Sequence, residues 1–401
     1  MKRLLAGAAG VLLLVGVASP AVATDADSDM ARDLRQRVKD YSLGNDVTVH
    51  VADALSGASV FGHDPDEKQL PASTMKVVTA TTSLATLGKD YRFVTKVVEG
   101  KSPDRLILVG GGDPMLTVAD LQRLAGRTAK ALKRAGIQGS VQLALDDYLF
   151  PKPTGGDGWA PGDSPSYASA VRALGLLGEY SSDTTVSAVS AFVAALRAKG
   201  VNVTFDGRAV AEPDAVVVAS VDNHTLGDAI ELMLRVSENN VAENLFRHVA
   251  IARGFPATWS SSTSAALEAL GELGIDTSSL RLKDGSGLSQ KDRLTARTLT
   301  DILNLIVDGA HPALAPILDW LPIAGETGTL TYRFAGPPAN CARDEVFAKT
   351  GSLTGVNTLA GLTKGADGRW KSFAIMVNHA PYGGSTSPAI DTLAATVHGC
   401  A

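Results

Sequence analysis

The chain has few aromatic residues (5% Phe, Trp and Tyr), only two cysteines, and no accumulation of charge of one sign. Its 37 Lys and Arg against 42 Asp and Glu leave a net charge of −5 over 401 residues. Without a basic run, neither a nucleic-acid partner nor a polybasic membrane patch is expected. Beyond the N-terminus, no apolar stretch approaches the roughly 20 residues that a spanning helix needs. The seven histidines are scattered, with no H-x-x-x-H pair, and neither cysteine shares a motif with histidine. No metal site and no cofactor is therefore expected. There is no G-x-S-x-G nucleophile elbow. Gly110-Gly111-Gly112 lacks both the Lys-Ser/Thr of a phosphate loop and the G-x-G-x-x-G spacing, so it reads as a tight turn.

Residues 1–23 read as a secretory signal. Lys2 and Arg3 precede the apolar run from Leu4 to Ala18, and Ala21-Val22-Ala23 offers a small-residue cleavage site. The expectation is an extracytoplasmic or secreted protein starting near Thr24, the alternative being a retained anchor. Export makes Cys341 and Cys400 informative, because an oxidising compartment permits them to pair; two buried free thiols are the other possibility. A bridge between them would close a 59-residue loop, worth about 4 kcal/mol in chain entropy.

The remaining length exceeds one ordinary core and suggests two domains. Helical spacing over Met30–Tyr41 and a hairpin, Val47 to Val51 and Ala58 to Phe61, open the first. Ser73 to Leu87 then reads as a helix with Gly88 as its stop. Strand Leu106–Val109, helix Val118–Ala135 and strand Ser140–Leu145 make a small α/β insert over residues 94–165, with the Pro/Gly-rich Pro151–Pro165 as its return. The catalytic domain is then residues 24–93 plus 166–401. Its second part has helical spacing at Ser187–Lys199 and Leu226–Arg253, a loop at Asp284–Ser289 and strands at Glu345–Lys349, Val356–Thr363 and Trp370–Val377. The last two strands turn at Asp367-Gly368.

Three motifs, each occurring once, carry the chemistry. Ser73-Thr74-Met75-Lys76 is S-x-x-K, Ser237-Glu238-Asn239 is S-x-N, and Lys349-Thr350-Gly351 is K-T-G. Singly, a solvated serine and lysine, a helix cap or an edge-strand lysine would explain any of them. The ordered set, separated by 164 and 110 residues, is far more specific. With Gly110–Pro114, Asp284–Ser289 and Gly325–Phe334, these motifs resemble the D-Ala-D-Ala carboxypeptidases and endopeptidases among the low-molecular-mass penicillin-binding proteins. The resemblance implies an α+β transpeptidase fold: an antiparallel sheet flanked by helices, an all-helical part and a domain inserted between the first two motifs. It also implies peptidoglycan stem peptides as substrate, β-lactams as acylating inhibitors, and hydrolysis of the terminal D-Ala-D-Ala bond, and of cross-links, through an acyl-Ser73 intermediate. The alternatives are a serine β-lactamase, for which no Glu-x-x-x-Asn element lies between the first two motifs, and a catalytically silent wall-binding protein.

On this expectation Ser73 is the nucleophile and Lys76 its base, with its pKa lowered by burial or by the neighbouring cation Lys349. Ser237 relays the proton and Asn239 positions substrate and lysine. Thr350, Gly351, Ser352 and Leu353 line the substrate strand, and the backbone N–H groups of Ser73 and Ser352 form the oxyanion hole. Asp146, Asp147 and Tyr148, at the end of an insert strand, are candidates for binding a substrate amine.

Overall fold

The computed structural model describes residues 24–401 except 103, 138, 152, 153, 383 and 384. The signal segment expected over residues 1–23 lies outside the described residues. Among the described residues, no helix is long and apolar enough to cross a membrane.

Helix α1 (Asp25–Arg37) begins upstream of the apolar spacing at Met30 because Thr24 and Asp27 form a reciprocal capping box. Strands β1 (Val47–Asp53) and β2 (Ser59–His63) form the expected hairpin. A 3-10 turn over Ala72–Thr74 then feeds α2 (Met75–Leu87), in which every residue from Met75 to Leu84 is buried. A helix buried all round is a rigid core element. The S-x-x-K motif sits at its first turn.

The chain next builds a second sheet from β3 (Thr95–Glu99), β4 (Arg105–Val109), helix α3 (Val118–Arg134) and β5 (Ser140–Asp146). After the short turn α4 (Asp163–Ser166), helix α5 (Thr184–Ala198) leads to β6 (Asn202–Arg208) and β7 (Val217–Val221). The strand order is β6-β5-β4-β3-β7. Neighbours β4, β5 and β6 are parallel, joined by crossovers through α3 and α5, and β3 runs antiparallel to β4 and β7. Leu121, Leu124, Phe192 and Leu196 of the two helices close a core over Leu106, Leu143 and Val203. The boundary expected at residue 165 is therefore too early, since β6 and β7 pair in this sheet. Strand β6 escapes sequence reading because only Val203 along it is buried, so it shows no apolar alternation.

Helices α6 (Leu226–Val236) and α7 (Asn239–Ala252) follow, then α8 (Trp259–Glu272), α9 (Ala296–Val307) and α10 (Pro316–Trp320). The continuous helical spacing over 226–253 is in fact two helices. Ser237 takes a left-handed φ of 61°, and the Glu238 side chain caps α7 by accepting from the Val241 N–H at 2.6 Å.

Strands β8 (Phe347–Leu353), β9 (Val356–Lys364) and β10 (Trp370–Val377) complete the first sheet before α11 (Thr386–His398). Its order is β2-β1-β10-β9-β8, antiparallel throughout, which leaves the K-T-G strand β8 at one edge. Side chains alternate across it. Val49, Val51, Phe373 and Ile375 pack against Leu34 of α1 and Leu393 of α11. Ala374 and Met376 face the helical core of Val78, Ile230, Leu245 and Leu303. Cys341 and Cys400 form a disulfide, with Cα atoms 6.1 Å apart, that ties the end of α11 to the turn before β8. The α+β arrangement of a flanked antiparallel sheet with an inserted α/β unit is the one expected.

Candidate active site

The three motifs converge where the start of α2, the α6–α7 break and the edge strand β8 meet. Lys76 Nζ lies 3.0 Å from Ser73 Oγ, 2.6 Å from Asn239 Oδ1 and 2.9 Å from the Ser286 carbonyl oxygen. Two of these partners can only accept, so they fix two of the amine's hydrogens. The remaining position points at Ser73 Oγ: a proton in the ammonium, a lone pair in the neutral amine. The Asn239 amide is itself oriented, since its Nδ2 donates to the Tyr167 carbonyl at 2.8 Å.

Lys349 Nζ donates to Ser237 Oγ at 2.9 Å and to its neighbour's Thr350 carbonyl at 2.7 Å. Thr350 Oγ1 donates to Thr329 Oγ1 at 2.8 Å. Both lysines are completely buried, and among the described residues neither forms an ion pair. Burial accordingly pushes Lys76 down to about 8, against the pull of Glu243, Asp284 and Glu238. Burial and the charge of Lys76 hold Lys349 well below the usual lysine range.

The backbone around the nucleophile is shaped by close approach. Ala72, immediately before Ser73, has a left-handed φ of 45°. A Cβ on Gly351 would collide with Thr358 Oγ1, the Pro71 carbonyl and the Ser73 nitrogen. Glycine at this point of K-T-G thus lets β8 lie directly against the turn that presents Ser73, bringing the strand edge beside the Ser73 amide. Ser73, Thr350 and Leu353 are half-buried and Ser352 is exposed.

The structure does not bring Asp147 to this site. Its carboxylate is buried within the insert, accepting from Arg208 Nε at 3.1 Å and Arg172 Nη1 at 3.2 Å, and both guanidiniums also contact Asp183. Asp146 accepts from the Tyr148 and Ala211 N–H groups. Tyr148 is 55% exposed and, among the described residues, makes no side-chain hydrogen bond to a motif residue. Two guanidiniums thus hold the Asp147 carboxylate within the insert. Conversely, the Ser286 and Tyr167 carbonyls escape sequence reading, because backbone acceptors carry no residue signature. Only the loop composition of Asp284–Ser289 hints at the first.

An S-x-x-K turn on a buried helix, an S-x-N break between helices and a K-T-G edge strand on one antiparallel sheet define a protein of the penicillin-binding protein and β-lactamase-like class. The D-Ala-D-Ala carboxypeptidase 3 (S13) family matches residues 30–179 and 176–397, and the chain belongs to that family. It is 34% identical over 380 residues to Carboxypeptidase DacB of Mycolicibacterium smegmatis, covering 88% of this chain and 80% of the relative. To the D-alanyl-D-alanine carboxypeptidase of an Actinomadura species it is 29% identical over 459 residues, covering 90% and 84%. Among solved structures, penicillin binding protein 4 of Haemophilus influenzae superposes with a TM-score of 0.77 at 23% identity, covering 91% of this chain and 97% of that one. That likeness shows the shared fold.

Proposed function

We propose that this protein is a serine DD-peptidase that hydrolyses the terminal D-Ala-D-Ala bond of peptidoglycan stem peptides, acts on cross-links of the same chemistry, and is acylated by β-lactams. The observation that carries this reading is the Lys76 amine aimed at Ser73 Oγ by two pure acceptors. Ser73 Oγ attacks the carbonyl carbon of the penultimate D-Ala, and its proton passes to Lys76. The Ser73 and Ser352 N–H groups stabilise the oxyanion. As the C–N bond breaks, the departing D-Ala nitrogen takes a proton through Ser237, which Lys349 holds in place. Water then cleaves the acyl-Ser73 ester and restores the serine. Thr350 and Lys349 favour a substrate with a free carboxylate, and Asn239, Ser352 and Leu353 flank its backbone.

Family membership supports the substrate class. The Cys341–Cys400 disulfide and the apolar N-terminal segment support an extracytoplasmic location. The test is intact-mass spectrometry after brief exposure to benzylpenicillin, with and without Ser73→Ala, together with D-Ala release from a D-Ala-D-Ala-terminated peptide. A stable adduct on wild type only, with D-Ala release, is expected. An adduct that disappears within seconds would make the protein a β-lactamase instead. No adduct would leave a binding protein.

A further inference from the structure

Behind Lys76 lies a layer of buried acids that the acyl-transfer chemistry does not itself use. Glu243, one helical turn beyond Asn239 on α7, is wholly buried, and its two oxygens accept from the Gly285 and Ser286 N–H groups at 3.1 and 2.9 Å. Asp284, also wholly buried, accepts from the Gly287 and Ser289 N–H groups at 2.7 and 2.8 Å and from Trp159 Nε1 at 2.7 Å. Thr79 Oγ1, on α2, donates to the Gly285 carbonyl at 2.6 Å.

The loop so held contributes the Ser286 carbonyl that accepts from Lys76 Nζ. Its Gly287, at φ 82°, packs against Ala72, and a Cβ there would collide with the Ala72 carbonyl. One loop therefore fixes both the lysine's amine and the backbone just before Ser73. Loops of this composition need such anchors, because a glycine-rich segment left to itself samples many conformations.

We propose that Glu243 and Asp284 are positioning residues for acylation, clamping the 284–289 loop so that its Ser286 carbonyl and Gly287 hold Lys76 and the Ser73 turn in attacking geometry. This inference rests on the reading of Ser73 and Lys76 as nucleophile and base. Glu243 has a second effect through charge. The charged groups around it are Lys76 from α2, Asp284 from the loop, Asp292 just beyond it, and Arg247 on its own helix, while Glu238 and Lys349 face Lys76. Burial and Asp284 raise Glu243 to about 8, and its ionised form favours the Lys76 ammonium.

The experiment measures the second-order rate of Ser73 acylation by a fluorescent penicillin across pH on wild type, Glu243→Gln and Thr79→Val, with melting temperatures alongside. Glu243→Gln leaves one loop N–H facing an amide NH2 and removes the charge. Acylation should slow by about tenfold to a hundredfold, the range for losing hydrogen bonds to a charged group. Its acid limb should also move to lower pH, because the group that favours the ammonium is gone. Thr79→Val should slow acylation without moving the limb. A folded Glu243→Gln with wild-type rate and profile overturns the proposal. If that variant does not fold, Thr79→Val decides: slower acylation at an unchanged melting temperature supports the clamp, and a wild-type rate overturns it. Absence of acylation in wild type would remove the underlying reading, and this proposal with it.

Discussion

Lys371 and Lys76 are both completely buried, yet they titrate in opposite directions. Lys371, on β10, is surrounded by carboxylates: Asp27 of α1 at 2.6 Å, Asp367 at 3.0 Å and Asp53 at 3.5 Å. Burial alone would lower its pKa, but the bonds to Asp27 and Asp367 more than offset that and raise it. Lys76 meets only neutral acceptors, with the nearest acids set one layer back, and burial prevails. A lysine that must stay charged to hold α1 on the sheet is given counterions. One that must lose a proton is given hydrogen-bond acceptors instead.

Substitution at each lysine should separate these two roles. Replacing Lys76 with Met should slow β-lactam acylation by about 10²- to 10⁴-fold, the usual contribution of a general base, with folding retained. Stopped-flow fluorescence would measure this. Lys371→Met should do the reverse. It takes the ammonium from the buried Asp27 and from Asp367, leaving Asp53 to Arg369 and Ser56, which should cost about 3–5 kcal/mol in denaturant unfolding, while the folded fraction acylates at the wild-type rate. If Lys371→Met slowed acylation as much as Lys76→Met, the contrast would collapse.

A smaller loss, about 2–4 kcal/mol, is expected from the double substitution Cys341→Ala and Cys400→Ala, which opens the bridged loop without touching the acylating residues. The smallest effect concerns pH. Burial raises Asp27 and Asp53, but hydrogen bonds from Lys371 and Thr24 to the first and from Ser56 to the second prevail, so both lie below the ordinary carboxyl value. Their contribution to stability is present above that ordinary value and is lost as pH falls through the lowered ones. The contribution of Lys371 is present below the ordinary lysine value and is lost only as pH rises through its raised one. Unfolding free energy from these groups should hence stay flat from about pH 5 to 9, while acylation climbs across the same interval.

Much of this was legible in the chain, for identifiable reasons. The motifs are contiguous residue patterns, and β9 and β10 are apolar runs joined across a strong turn signal, Asp367-Gly368. Strand β6, nearly all exposed, has no such pattern, so the insert's end was misplaced at residue 165. The break at Ser237 was hidden inside a helical repeat because its determinants are a backbone angle and a side-chain cap. The partners of Asp147 were hidden for a related reason. Two arginines remote in sequence, Arg172 and Arg208, occupy its carboxylate, and nothing local to Asp146-Asp147-Tyr148 signals them. Apart from the Asn239 amide, what holds Lys76 works through backbone carbonyl oxygens and N–H groups, which carry no residue signature.

The most direct test of the account is the pH dependence of wild-type Ser73 acylation by a penicillin at concentrations far below saturation, where the free enzyme's titration is read. The structure predicts a rate that rises with pH through an acid limb centred at about 8, the value to which burial brings Lys76. A rate still climbing toward about 10.4, the ordinary lysine value, or one unchanged from about pH 5 to 9, would contradict an uncompensated Lys76 amine as the base.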